Sequence, residues 1–315
     1  MLSATPQPAS GLPAVTTREQ LEALLASRKL EGATLQGLDL AGFDFRGARL
    51  NSTRWVGVDL TGADLAGCEL GGAVFDKAEL IETDLSGCVL QGADLSRARV
   101  RTCHVSGADL RAVRLLKAEL SGADLRKARL AGASFQQSLL VGVNAEGADW
   151  QGCVLTDATL SGAKLKGANF KSVAASQVSL RGADLTGAIL SGMVARDADA
   201  RSAIFDQAQL SEANFTSSNL TCAIMRKATA KAALFARAVM VRADLRGTLL
   251  EGADLSRADL SHANLDVAVL KQANLEFANL HRTSMKSTDL SGARLQGVRK
   301  TDPERAKAED FSTEK

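Results

Sequence analysis

The sequence predicts an all-β solenoid, and three observations predict it. Leucine recurs on a five-residue beat: residues 251–280 read EGADL SRADL SHANL DVAVL KQANL EFANL, with alanine two places before each leucine. Twenty-five of the 27 glycines stand two places after the beat, Gly11 and Gly71 being the exceptions. No proline occurs between residues 14 and 302, so nothing interrupts a ladder of backbone hydrogen bonds.

A period of five suits neither a helix nor a strand. In a helix, residues five apart are about 140° out of phase, and the leucines would spiral around every side. In a strand, an odd spacing alternates faces and would leave half of them in water. One bend per pentad removes the conflict. The beat residue (numbers ending in 0 or 5) and the small residue two before it then point inward together. The residue between them, often Asp or Asn, points outward. The two residues after the beat make a corner, where glycine supplies positive φ. A coil that bends at every pentad has no core alone, so it must stack on the next.

The elements follow in order. Residues 1–15, MLSATPQPASGLPAV, hold three of the four prolines and read as a disordered arm. They lack the basic start and apolar stretch of a signal peptide, and no run approaches the 18 or so apolar residues of a membrane span, so the expected location is the cytoplasm. Residues 16–30 read as an N-terminal capping helix: Thr17-Arg18-Glu19-Gln20 fits a capping box, with Leu21, Leu24, Leu25 and Leu30 following at helical spacing. Residues 31–298 keep the beat without a register break, over about 54 pentads. Residues 299–315 form a charged tail, either disordered or helical for one or two turns, with Asp302 as N-cap and Pro303 at the first helical position.

The pentads strongly resemble the pentapeptide-repeat family, whose motif is close to A-(D/N)-L-x-x. The resemblance implies a right-handed quadrilateral β-helix with four pentads per coil. Stacking at about 4.8 Å would then give a rod roughly 65 Å long. Aromatic beat residues twenty apart, Trp55 with Phe75, Trp150 with Phe170 and Phe215 with Phe235, should stack one coil above another. The opening REQLEALLASRKLEGATLQGLDLAGFDF is also similar to cap-plus-repeat modules found with bacterial type VI secretion loading proteins.

Chemistry-bearing motifs are few. There is no P-loop, G-x-S-x-G, H-E-x-x-H or C-x-x-C, and no enzyme or cofactor is expected. Cys68, Cys88, Cys103 and Cys153 take the small inner position and read as buried thiols of a reducing compartment; Cys222 falls on a corner. His262 and His281 fall on neighbouring coils of one side and read as surface histidines; two ligands could meet there, but a metal site usually wants three or four, with carboxylate or thiolate help. Outward aspartates read as solvated, so Asp259→Ala should cost within about 0.5 kcal/mol.

Two functional readings follow. The first is a non-enzymatic protein–protein interaction scaffold of bacterial type, an accessory or adaptor of type VI secretion being its specific form. The second is a DNA-mimicking protein that protects a topoisomerase (gyrase), as some family members do. Mimicry needs a long acidic surface, whereas residues 31–90 carry ten acids against four bases and residues 91–130 reverse this with nine bases against four acids. The expected partner is therefore a protein, with self-association allowed and neither nucleic acid nor membrane expected. The candidate partner surface lies in 189–241. There outward positions become Ile189, Val194, Ile204, Ile224, Leu234 and Val239, with Val241 beside them, and inner positions shrink to Ala195, Ala200 and Ala230. No glycine occurs from Met193 to Arg246, so the corners there should differ in type or carry polar residues.

Overall fold

The computed structural model describes residues 14–313. It divides into two compact units, one ending at Leu139 and one beginning at Leu140. Each is a β-helix solenoid in which residues twenty apart pair in parallel, such as Asp59 with Glu79 in the first unit and Ile204 with Ile224 in the second. Four pentads therefore complete one coil. Regular strand is scarce: β1 (Thr34–Gln36) pairs with β2 (Arg54–Val56), and elsewhere the strand of a pentad is a single bridging residue. An all-β chain with so little strand follows from the corners, because a bend every five residues leaves too few extended residues for a longer strand.

The hydrogen bonds of one pentad account for its repeat sequence. The outward Asp59 N–H donates to the coil before (Leu38 O, 2.9 Å) and the beat Leu60 N–H to the coil after (Glu79 O, 2.8 Å). At the corner, Gly62 N–H reaches Ile81 O (2.8 Å), and Ala63 N–H closes the turn on Leu60 O (2.9 Å). One amide remains, that of Thr61. It donates to the Asp59 carboxylate at 2.9 Å. The outward Asp or Asn is thus the acceptor for the amide that the ladder leaves over, an Asx-type contact, and not merely a solvated position. Where it is missing, the coil before can supply the acceptor: Arg226 N–H, two residues after Ile224, donates to Asp206 at 3.0 Å.

The corner holds its third residue at positive φ, as a type II turn requires. Gly62 has φ 66°. In the glycine-free stretch the corner does not change type: Asp197, Ser202, Gln207, Cys222, Lys227 and even Ala232 adopt φ between 53° and 58°. The ladder on both sides imposes this conformation, which costs a non-glycine residue about 1–2 kcal/mol. Ala195, Ala200 and Ala230 are fully buried, and Phe205 and Phe215 meet edge to face at 5.9 Å in the same stretch. Trp55 stacks on Phe75 (5.6 Å), Trp150 on Phe170 (5.5 Å) and Phe215 on Phe235 (6.0 Å).

Two helices accompany the coils. The helix α1 (Arg18–Ala26) starts at Thr17, whose hydroxyl accepts from Gln20 N–H while the Gln20 side chain accepts from Thr17 N–H. Leu21 is buried and Arg18 lies over the Phe43 ring at 4.9 Å. The boundary of the N-terminal arm at residue 15 needs correcting: Val15 is buried and bridges Leu35, because its apolar side chain fits the open edge of the first coil. Residues 1–13 lie outside the described residues. The helix α2 (Pro303–Thr313) spans 11 residues, longer than the one or two turns read from the tail, with Asp302 accepting from Glu304 and Arg305 N–H. Among the described residues no helix is long and apolar enough to cross a membrane.

Aspartates paired with an arginine two residues on should make stability fall at low pH. The hydrogen bond from Arg46 holds the Asp44 carboxyl at about 2, and Arg111, Arg126 and Arg201 lower Asp109, Asp124 and Asp199 in the same way. Their folded values lie below the ordinary 3.8. The stability they contribute is therefore present above that value and is lost as pH falls through the folded one. A series of urea melts should give a flat midpoint above about pH 5 and a falling one between about pH 4 and pH 2. A midpoint unchanged across that lower window would show that the pairs contribute nothing.

Candidate functional site

In a four-sided coil, residues twenty apart form columns, so the seven candidate surface residues can be placed by arithmetic and checked by bridges. Ile204 and Ile224 stack on one side. Val239 lies on the adjoining side, and Val241 sits on the corner between the two. Val194 and Leu234 share a third side, in one column with Asn214 between them, and Ile189 lies on the fourth. The expected single patch is thus divided. Four residues gather about one corner and three are dispersed, because outward residues of consecutive pentads face different sides. All seven are at least partly exposed.

That corner carries a column of its own: Cys222, Arg242, His262 and Arg282, each twenty residues from the next. The first three amides follow the ladder, with His262 N–H donating to His281 O at 2.8 Å, and Arg282 N–H donates to the Thr301 hydroxyl at 3.1 Å. Beside the column lies an open cavity of about 510 Å³, lined by Cys222, Val241, Arg242, His262, Arg282 and Glu309 among others.

Glu309 comes from α2 and joins the two histidines. Its Oε2 lies 3.2 Å from His281 Nε2, 3.3 Å from His262 Nε2 and 3.5 Å from Arg282 Nε; its Oε1 accepts from Arg305 Nε at 2.9 Å. Asp310 pairs with the same Arg282 at 2.5 Å. Partial burial alone would raise the Glu309 carboxyl, but the hydrogen bonds from His281 and Arg305 outweigh it and hold it at about 2. His281 is not the surface residue read from the sequence: it is 2% exposed, because α2 folds back across it. Glu309, Arg305 and Arg282 were missed as partners since 28 residues and an irregular tail separate Glu309 from His281. The only sequence signal was the Asp302-Pro303 helix start.

The side chains of His262, His281 and Glu309 place three ligating atoms within 4.8 Å of one another. The hydrogen bonds argue against a metal there. Asp302 N–H donates to His281 Nδ1 at 3.1 Å, so the ring proton sits on Nε2, where a metal would need the lone pair. A metal-bound histidine normally donates through its other nitrogen, the reverse of this arrangement. Two guanidinium groups on the same carboxylate add repulsion against a cation. The arrangement is a carboxylate clamp.

The repeats themselves decide the family. The family model for pentapeptide repeats matches in overlapping segments from residue 29 to 192, then at 196–229, 238–267 and 263–299. The chain belongs to the pentapeptide-repeat family. Among solved pentapeptide-repeat structures it is similar to a trypsin-treated variant of QnrB1, a plasmid-mediated fluoroquinolone resistance protein, at 21% identity over 62% of this chain and 95% of that one, with a TM-score of 0.49. It is also similar to HetL of the cyanobacterium Nostoc sp. strain PCC 7120, involved in heterocyst differentiation regulation, at 26% identity over 91% of this chain and 97% of that one, with a TM-score of 0.24. The comparison with curated proteins returned no match.

In this pentapeptide-repeat chain the acidic stretch forms two short columns, Asp39–Asp59–Glu79 and Asp44–Asp64–Asp84, which end at Arg99 and His104. The basic belt that follows is largely engaged. Arg99 pairs with Glu79, Arg111 and Arg129 with Asp109, Arg114 with Asp94, and Arg126 with Asp124. Neither stretch presents a long field of one sign. The buried thiols are equally occupied: Cys68 and Cys88 donate to Phe45 O (3.0 Å) and Leu65 O (2.8 Å), and burial pushes them up to about 11 and about 12.

Proposed function

We propose that the chain is a non-enzymatic protein-binding scaffold and that its binding surface is the corner flanked by Ile204, Ile224, Val239 and Val241. The observation that carries this reading is their gathering, partly exposed, around one corner beside an open cavity. Grouped apolar residues mark interaction sites where scattered ones do not. The saturated ladder beneath them supplies a rigid platform, so little order has to be imposed on binding. The similarity of the opening segment to type VI secretion modules supports a bacterial adaptor as the setting, and the family resemblance supports a right-handed coil.

The test compares two double variants of the full chain. Ile204→Asp/Ile224→Asp places two charges on the flank of the corner; Val194→Asp/Leu234→Asp does so on the opposite side. Both should keep the wild-type circular dichroism. The first should lose the co-purifying protein, or self-association on a sizing column, and the second should keep it. Equal retention or equal loss in the two variants would defeat the assignment.

A further inference from the structure

We propose that the same corner is a carboxylate-recognition site for an acidic segment of a partner protein, and that the chain's own α2 keeps it closed by placing Glu309 and Asp310 there. The inference deepens the scaffold reading and rests on it.

The site is built for a carboxylate. The buried His281 has its ring proton directed at the acid by the Asp302 amide behind it. His262 meets the same oxygen, at 3.3 Å. Arg282 spans both acids of the Glu309-Asp310 pair, and its Nη2 also donates to Ala306 O at 2.6 Å. Charge-assisted bonds of this kind are about twice as strong as neutral ones.

The resident acid pair does not use the whole site. Arg242 stands in the same column as His262 and Arg282 and lines the open cavity, and no ion pair involves it among the described residues. An acidic segment that continued past the Glu309 position would meet Arg242, then Val241 and Ile224, where the apolar flank begins.

The helix α2 is also held in a way that lets it leave. Among residues 301–310 only Ala306 and Glu309 are half-buried, and the others are exposed. Over residues 301–310 the grip consists of polar contacts and not of buried apolar side chains. An isolated helix of 11 residues is marginal in water, so weakening the grip should release and unwind it. As a tethered ligand it competes at an effective concentration in the millimolar range. A partner would displace it by adding contacts on the apolar flank to its own acid pair.

The experiment uses the full chain and a labelled synthetic peptide of residues 301–315, followed by fluorescence anisotropy. Wild type should bind the peptide weakly. The variant Glu309→Gln/Asp310→Asn should bind it about tenfold more tightly or better, and its tail amides should exchange faster than those of wild type. A peptide carrying the same two amide substitutions should lose this binding, as should the variant with Arg282→Ala added. Equal affinity for the acidic and the amidated peptide overturns the proposal. So does unchanged tail exchange in Glu309→Gln/Asp310→Asn. One-to-one binding of Zn²⁺ that slows tail exchange in wild type would assign the three side chains to a metal and overturn it too. The peptide assay involves no native partner. Acid-dependent capture together with an inactive Ile204/Ile224 flank would leave the carboxylate site and remove the scaffold surface; the converse would remove only the carboxylate site.

Discussion

Replacing Trp55 with Ala should destabilise the first unit by about 3–5 kcal/mol, the range for deleting a fully buried aromatic side chain. Trp55 is wholly inaccessible. Its ring stacks on Phe75 with the planes 8° apart, and Phe45 meets it edge-on at 5.5 Å. Its Nε1–H donates to the Thr53 hydroxyl at 2.8 Å, and that hydroxyl donates to Leu50 O at 2.6 Å. Truncation would open a cavity between two aromatic rings and remove one link of a buried hydrogen-bond chain. Trp55→Phe keeps the stack and loses the link, and should cost about 1 kcal/mol. The readout should be local. A stacked-coil protein need not unfold in one step, so a single melting temperature can mislead. Hydrogen exchange should show coils 31–90 losing protection while coils 160–260 keep theirs. Trp150 is the only other tryptophan, so its emission reports on the second unit in the same variant. Uniform loss of protection throughout would show one cooperative unit and contradict the local reading.

The coil was legible because one short period encodes it. Leu, the small residue two before it and the corner glycine each answer one demand of the same pentad, so the core follows from counting. What was not legible has two causes. Part of it lies in backbone hydrogen bonds that no periodicity displays. The outward Asp59 reads as a solvated acid until the ladder is tallied and the Thr61 amide proves to be the one left over. The corner at Ala232 reads as a change of turn until φ 53° shows that the neighbouring coils impose the same one. The rest lies in the tail, where the period stops. His262 and His281 could be paired by counting, but Glu309 could not, since its approach depends on how α2 leaves the last coil. The candidate surface was divided by the same geometry that makes the core predictable, which sends apolar residues close in sequence to different sides.

Leu260→Ala and its neighbour Asp259→Ala test the division between inner and outer positions, and their costs should differ without the outer one being negligible. Leu260 is fully buried, and its removal should cost about 2–5 kcal/mol. The backbone of that pentad would stay engaged: Leu260 N–H donates to Asn279 O at 2.9 Å, and Leu260 O accepts from Ala263 N–H (2.9 Å) and the Thr283 hydroxyl (2.8 Å). The ladder therefore resists collapse around the cavity, which places the loss towards the upper part of the range. Asp259 is half-buried, and one of its oxygens accepts from both Ser261 N–H (3.0 Å) and Asn279 Nδ2 (2.9 Å). Losing both acceptor contacts should cost about 1 kcal/mol, more than its outward place in the repeat suggests. Asp259→Asn keeps an acceptor oxygen and should cost less than Asp259→Ala. Urea melts of the three variants, with exchange read over coils 241–280, would rank them. If Asp259→Asn were as damaging as Asp259→Ala, charge and not the acceptor geometry would explain the acid at this position, and the account of the left-over amide would be wrong.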